Sequence, residues 1–142
     1  MNPSLILWPV LAQILLTIAM YVLLGVRKNE ALKLGQVNRR ETALDNRAWP
    51  ANVVKVSNNI ANQFELPVLF YVLCLLLFSV QKVGWLALVL AWVFVVSRYL
   101  HAAVHTGKNV VPLRTQLFVV GLVCLLLLTF LAAWHLVAAA LV

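Results

Sequence analysis

The chain has 142 residues, of which 64% are hydrophobic and only 11% are charged. Its mean hydropathy is +0.98, whereas an ordinary soluble domain carries about a quarter charged residues and about half apolar ones. This composition excludes a soluble globular domain and a disordered chain, and it predicts that apolar surface faces lipid. The net charge of +7 is interpreted as a record of which loops stay in the cytoplasm, and no nucleic-acid partner is expected.

The first apolar run, residues 4–26, is long enough at about 1.5 Å per helical residue to cross a hydrocarbon core of about 30 Å. It begins without positive charge and is followed by Arg27 and Lys28, which is unlike a cleaved signal peptide. We therefore predict a first transmembrane span at 4–26. The polar segment 27–50 is predicted to be a loop with some helical content.

Three more spans follow. Residues 51–80 are predicted to form one helix whose polar first half leads into an apolar second half. A short turn precedes the third span, 85–104, so the second and third spans are predicted to form an antiparallel hairpin. Gly107 and Pro112 supply stop and restart signals before a fourth span at 113–142. The predicted fold class is an all-α membrane protein, a single domain built as a bundle of four transmembrane helices.

Positive charge is distributed unevenly among the loops. The first loop and the start of the second helix carry seven Lys or Arg, the second loop carries only Lys82, and the third loop with its flanks carries three. Because Lys and Arg accumulate in cytoplasmic loops, loops 27–50 and 105–113 are predicted to face the cytoplasm and both termini the opposite side. The compact loops favour a bacterial inner membrane.

Polar side chains form a stripe on the second helix. Lys55, Asn58, Asn62 and Glu65 follow steps of three and four residues, which places them on one helical face. Such a stripe is often only a solvated face. Glu65, however, stands at the margin of a long apolar run, where a carboxylate is expected to point inward to a cationic or hydrogen-bonding partner. This position favours use in a binding site or a subunit interface.

A second polar cluster lies where the third helix ends. Arg98, His101 and His105 again share a face, and Arg114 follows in the next helix. The histidine pair has a spacing that can chelate a metal, but no acidic residue lies between them, and no metal site is predicted. Arginines that snorkel to the lipid headgroups are the alternative. Since both clusters are predicted at one membrane depth, together they can hold a ligand with anionic and amine groups.

These segments resemble a known family. Four spans, the second-helix sequence NNIANQFELPVLFY and the third-helix exit SRYLHAAVHTGKNVVPLR look like the MAPEG family, the membrane-associated proteins of eicosanoid and glutathione metabolism. The resemblance implies a homotrimer of four-helix subunits, with glutathione as co-substrate at the cytoplasm-side boundary between neighbouring subunits. It also implies a lipophilic small molecule as the second substrate.

The resemblance assigns roles to individual residues. Asn62 and Glu65 match positions that hold the tripeptide's backbone and amine, and Arg114 looks like the arginine that stabilises the glutathione thiolate. Arg98 and His101 match polar positions near the end of the third helix. Three positions depart from the family pattern, each replacing a residue type of the enzymes: Asn58 stands for an arginine, His105 for a tyrosine that contacts glutathione, and Val110 for a loop arginine.

Two functional hypotheses follow. The first is a glutathione-dependent transferase or peroxidase that acts on lipophilic electrophiles or lipid hydroperoxides. In this hypothesis Arg114 is the catalytic group, and the side chains that bind glutathione are Asn58, Asn62, Glu65, Arg98, His101 and His105. The second is a non-catalytic trimeric relative that packs through its polar stripe or binds another amphiphilic anion, so whether the chain is an enzyme stays open at this point. A transporter is disfavoured, since the spans show no pairs of broken helices and no inverted repeat.

Overall fold

A computed structural model describes residues 1–141 of the chain. It is all-helical, and four helical segments are long and apolar enough to cross a membrane. The predicted fold class, an all-α bundle of four membrane-length helices, is confirmed at this level. The four segments are Pro3–Lys33, Ala51–Ser79, Trp85–Thr106 and Val111–Ala140.

The first segment is longer than predicted. A 3-10 turn, Pro3–Ile6, leads into helix α1, Leu7–Lys33, which ends at Lys33 and not at Val26. The residues after Val26 are mostly strong helix formers, so the helix continues beyond the hydrocarbon boundary. Gly35, two residues after the end of the helix, has a φ of 67°, which only glycine adopts without steric cost.

The polar connection keeps some helical structure, as predicted. Helix α2, Arg39–Thr42, is capped by the Asn38 side chain, which accepts from the backbone N–H of Arg40. A 3-10 turn, Asn46–Ala48, is capped in the same way by Asp45. Side-chain oxygens at these positions satisfy N–H groups that have no partner within the helix.

The second segment is broken in two, which corrects the prediction of one helix over 51–80. Helix α3 is Ala51–Gln63 and helix α4 is Leu66–Ser79. Glu65, between them, has φ −99° and ψ −102°, far from helical values. Pro67 explains the break, because proline has no N–H and its ring clashes with the carbonyl four residues earlier.

The last two segments differ from the prediction only at their ends. Helix α5 is Trp85–Thr106 and helix α6 is Val111–Ala140, against the predicted 85–104 and 113–142. The last predicted residue, Val142, lies outside the described residues. The connection of four residues is shorter than the predicted loop 105–113, since α5 continues to Thr106.

The apolar core links all four segments. Phe70 of α4 stacks on Phe94 of α5 with ring centroids 4.4 Å apart, and both side chains are fully buried. Helices α5 and α6 form the most extensive helix pair, while α3 packs mainly on α1 and α5, and α4 on α6 and α1. The break therefore redirects the second segment across the bundle. A wedge opens between α3 and α6, with α5 as its floor.

Candidate functional site

The wedge between α3 and α6 contains a cavity of about 420 Å³. Small-molecule sites typically enclose about 300–1,000 Å³. Six of the seven side chains predicted for the site line it. Its lining side chains are Asn58, Asn62, Glu65, His101, His105, Arg114, Thr115 and Phe118.

The α3 wall supplies amides and one carboxylate. Asn58 and Asn62 lie one helical turn apart, and the Asn62 amide donates to the backbone oxygen of Asn58 at 2.9 Å. Glu65 lies in the break just beyond α3, where its side chain is exposed. The wall thus places an amide pair beside an anionic group, an arrangement that can hold a peptide and an ammonium.

Arg114 faces this wall from α6 and is held in place by the preceding turn. Its Nη1 donates to the side-chain oxygen of Asn109 at 3.0 Å. Asn109 has φ 54°, a left-handed conformation that asparagine tolerates better than most residues. Its backbone N–H donates to the Val104 oxygen at 2.8 Å, which caps α5. The Arg114 guanidinium is half-buried, and its hydrogen bond to this turn fixes its orientation.

The two histidines form the floor. His101 and His105 are both buried, and their rings meet edge to face with centroids 5.6 Å apart. Nδ1 of His105 lies 3.5 Å from the side-chain nitrogen of Asn59, whereas Nδ1 of His101 has no hydrogen-bond partner in the part of the chain that the structure describes. Within residues 1–141, no group of three or more His, Cys, Asp or Glu side chains is arranged to hold a metal ion.

Arg98 does not line the cavity, although it was predicted for the site. Its side chain is fully buried behind the floor. Among residues 1–141, no hydrogen-bond partner reaches any of its three guanidinium nitrogens. The guanidinium carbon lies 5.8 Å from the centre of the Phe118 ring, a cation–π contact. A buried unpaired charge is costly. Phe118, which Arg98 contacts, also lines the cavity.

Two other cations bind the carboxyl end of α5. Arg27 donates through both terminal nitrogens to the Thr106 oxygen at 3.1 Å, and through Nη1 to the Asn52 oxygen at 2.8 Å. Lys55 donates to the Gly107 oxygen at 3.2 Å. Cations stabilise the last carbonyls of a helix, where the helix dipole is negative. Lys55, the first member of the predicted stripe, is therefore engaged with backbone.

A second cavity of about 530 Å³ adjoins the first and shares Asn58, His105 and Arg114 with it. Arg47 and Lys55 are among the side chains that line it. The two cavities together form a path that passes from the polar connection past Arg114 to Glu65. Its outer part carries only positive charge, which favours an anionic group there.

Sequence reasoning missed a buried chain of amides behind the cavity. Gln13 of α1 donates to Gln63 of α3 at 2.8 Å, and Gln63 donates to Asn59 at 3.1 Å. All three side chains are almost fully buried. Gln13 carried a signal, because it is one of the few polar residues in the first apolar run. Its partners on another helix are set by packing and cannot be read from spacing.

Comparison with known protein families gave a match over most of the chain. The sequence model of the MAPEG family matches residues 5–134. No curated protein and no solved structure gave a significant match. The match covers all four membrane-length helices almost completely, including every side chain that lines the cavity. The chain is an integral multi-pass membrane protein and belongs to the MAPEG family.

Proposed function

We propose that the protein is a membrane-embedded, glutathione-dependent transferase or peroxidase that acts on lipophilic electrophiles or lipid hydroperoxides. Family membership supports a function of this glutathione-related kind in a membrane protein. The observation that carries the specific proposal is the cavity that joins Glu65, the amides of α3 and Arg114. Glutathione has one ammonium, two carboxylates, two amides and a thiol, and these groups match the cavity's charges and hydrogen-bonding groups.

In this proposal each wall has its own task. Glu65 takes the ammonium through a charge-assisted hydrogen bond, and Asn62 and Asn58 take the peptide groups. The carboxylates lie toward the cationic path formed by Lys55 and Arg47. The His101 and His105 rings close the floor beneath the ligand.

Arg114 is proposed to contact the sulfur. A free thiol has a pKa of about 8.5, and a guanidinium beside it favours the thiolate, which is the nucleophile. In conjugation, the thiolate attacks an electrophilic carbon, the leaving group departs with the bonding electron pair, and a thioether forms. In peroxide reduction, the thiolate attacks the distal oxygen, the O–O bond breaks, and a glutathione sulfenic acid and an alkoxide form; the alkoxide takes a proton from water to give the alcohol. The thiol of a second glutathione then attacks the sulfenic sulfur, which forms the disulfide and releases water.

The lipophilic substrate is proposed to enter from the bilayer. A groove of about 310 Å³ with an almost entirely apolar lining runs between α5 and α6 on the outer face. Leu117 lies in this groove, and the next residue, Phe118, lines the glutathione cavity. In the proposed reaction, a substrate dissolved in lipid binds in this groove and approaches the sulfur around α6.

The proposal includes a homotrimer with glutathione at the subunit boundary. Asn58 and Glu65 are exposed in the single chain, although they line the cavity. A neighbouring subunit would complete this open side. In the non-catalytic alternative, the same open stripe packs against the neighbour, and no glutathione turnover occurs.

The test compares the purified protein with Arg114→Ala, using Arg39→Ala on the exposed helix α2 as the matched control. Turnover is measured with glutathione and a chlorinated nitrobenzene or a lipid hydroperoxide, and native mass spectrometry measures the assembly. We expect a trimer in all three proteins. We expect turnover to fall roughly tenfold to a hundredfold in Arg114→Ala alone, because this variant loses a charge-assisted hydrogen bond to the thiolate. An unmodified trimer with no turnover and no glutathione binding at millimolar concentration would support the non-catalytic alternative.

A further inference from the structure

The buried amide chain ends on a cavity-lining ring. Gln13, Gln63 and Asn59 connect α1 through α3 to His105 of α5. None of the three amides lines the cavity of about 420 Å³, and each is no more than 1% exposed. Burying three amides in a membrane protein is costly unless they are hydrogen-bonded. Their arrangement as one continuous chain that ends on a cavity residue points to a role beyond packing.

The hydrogen bonds of this amide chain run in one direction, from donor to acceptor. The Gln13 nitrogen donates to the Gln63 oxygen, and the Gln63 nitrogen donates to the Asn59 oxygen. Since the Asn59 oxygen is already an acceptor, its nitrogen faces Nδ1 of His105 at 3.5 Å. An amide nitrogen can only donate, so Nδ1 must offer its lone pair. The neutral ring then carries its proton on Nε2.

We propose that the chain of Gln13, Gln63 and Asn59 is a positioning device that holds His105 as the neutral Nε2–H tautomer, with that N–H donating into the cavity to an anionic or carbonyl acceptor of the ligand. His105 lines both cavities, and Nε2 is the ring nitrogen that Asn59 leaves free. The identity of the acceptor as a group of glutathione rests on the proposed function. The tautomer does not depend on it.

The opposite orientation of the chain makes a different prediction. If every amide were reversed, the Asn59 oxygen would accept a hydrogen bond from Nδ1–H, and Nε2 would present a lone pair to the cavity. A lone pair there would repel an anionic ligand group. The tautomer of His105 therefore reports the direction of the whole chain.

The experiment measures this tautomer directly. Protein labelled with ¹⁵N and ¹³C in its histidines is studied by NMR in detergent at pH 8 without glutathione, where an imidazole of ordinary pKa, about 6.5, is neutral. The ring signals of His105 are assigned by their loss in His105→Phe. We expect the Nε2–H tautomer in the unmodified protein.

Two variants test the chain. Asn59→Asp replaces the donor with a carboxylate that can only accept, so we expect the ring to switch to the Nδ1–H tautomer. Gln63→Met removes the second amide without touching His105 and frees Asn59 to turn, so we expect both tautomers. Gln116→Leu on the exposed face of α6 is the control and should leave the spectrum unchanged.

The Nδ1–H tautomer in the unmodified protein, or the same tautomer in all variants, would overturn the proposal. If one variant fails to fold, the other and the unmodified protein still decide it. Where glutathione binds, Asn59→Asp should also weaken its affinity by about tenfold or more, the loss of a hydrogen bond to a charged group. The failure of glutathione to bind any of these proteins would overturn the proposed function while leaving the tautomer result intact.

Discussion

Arg114 illustrates how one side chain depends on the turn before it. Its guanidinium is held by the Asn109 oxygen at 3.0 Å, and Asn109 adopts the left-handed conformation that lets its N–H cap α5. A free arginine side chain samples many rotamers and loses about 2 kcal/mol of side-chain entropy when it is fixed. The hydrogen bond to Asn109 restricts the Arg114 side chain before any ligand binds, so the ligand has to supply less of this ordering. We therefore regard Asn109 as a positioning residue for the proposed thiolate site.

Asn109→Gly tests this role. Glycine keeps the left-handed backbone without strain but removes the carboxamide. We expect kcat of the glutathione reaction to fall roughly fivefold, the value of one ordinary hydrogen bond, with KM for the lipophilic substrate unchanged. Lys108→Ala, in the same turn, is the control. Equal kcat values for Asn109→Gly and the unmodified protein would show that Arg114 needs no support from this turn.

The sequence allowed part of the site to be predicted at this scale. Helical spacing placed Asn58, Asn62 and Glu65 on one face, and the structure gathers them with His101, His105 and Arg114. The same spacing could not tell that Arg98 is buried in contact with Phe118, because the depth of a side chain depends on the neighbouring helix. Nor could it show the amide chain, whose members come from segments fifty residues apart.

The broken second segment is the element that creates the cavity. An unbroken helix over 51–80 would keep one axis and run beside the same neighbours along its whole length. The break around Glu65 lets α3 lean on α1 and α5 while α4 closes on α6. Hydropathy predicted the extent of the segment well, since it reports only the burial of side chains in lipid or protein. The change of direction of the helix follows from Pro67 and from packing, and hydropathy carries no information about either.

The close contact of α5 with α6 is the second element that shapes the site. At Gly121 of α6, an added Cβ would lie 3.3 Å from Oγ of Ser97 and 3.5 Å from the ring of Phe94. Phe94 in turn stacks on Phe70. The absence of a side chain at Gly121 therefore allows α6 to lie close to α5, beside the turn of α5 that carries Arg98.

Gly121→Val should separate these two helices. Overpacking a tight contact costs about 1–3 kcal/mol, so we expect the melting temperature in detergent to fall by several degrees. Gly25→Val is the matched control, because an added Cβ at Gly25 meets no atom of the described residues within 4 Å beyond its chain neighbours and the nearby backbone of its own helix. Unfolding is followed with a thiol-reactive dye, since Cys74 and Cys124 are both buried in the native protein. Equal melting temperatures for the two variants would contradict tight packing at Gly121.

At the scale of the whole molecule, the net charge of +7 has several distinct uses. Arg27 and Lys55 hold the carboxyl end of α5, Arg114 faces the cavity and Arg98 lies buried, about 12 Å along the helix from Thr106. The remaining cations lie mainly on the polar connection and the end of α1. All of these except Lys82 lie toward one end of the bundle, the end at which the cavity opens. The same asymmetry that serves the proposed ligand also predicts the orientation in the membrane.

We expect the polar connection to face the cytoplasm and the turn between α4 and α5 to face the opposite side, because Lys and Arg near membrane ends are retained in the cytoplasm. Single cysteines introduced as Leu44→Cys, at a side chain that is 93% exposed, and as Lys82→Cys test this arrangement. In spheroplasts of a bacterial expression host, a membrane-impermeant maleimide should label Lys82→Cys at once and Leu44→Cys only after the membrane is permeabilised. The unmodified protein, whose two cysteines are buried, gives the background. The reverse pattern would place the cavity mouth on the outer side, away from cytoplasmic glutathione, and would contradict both the orientation and the proposed supply of the co-substrate.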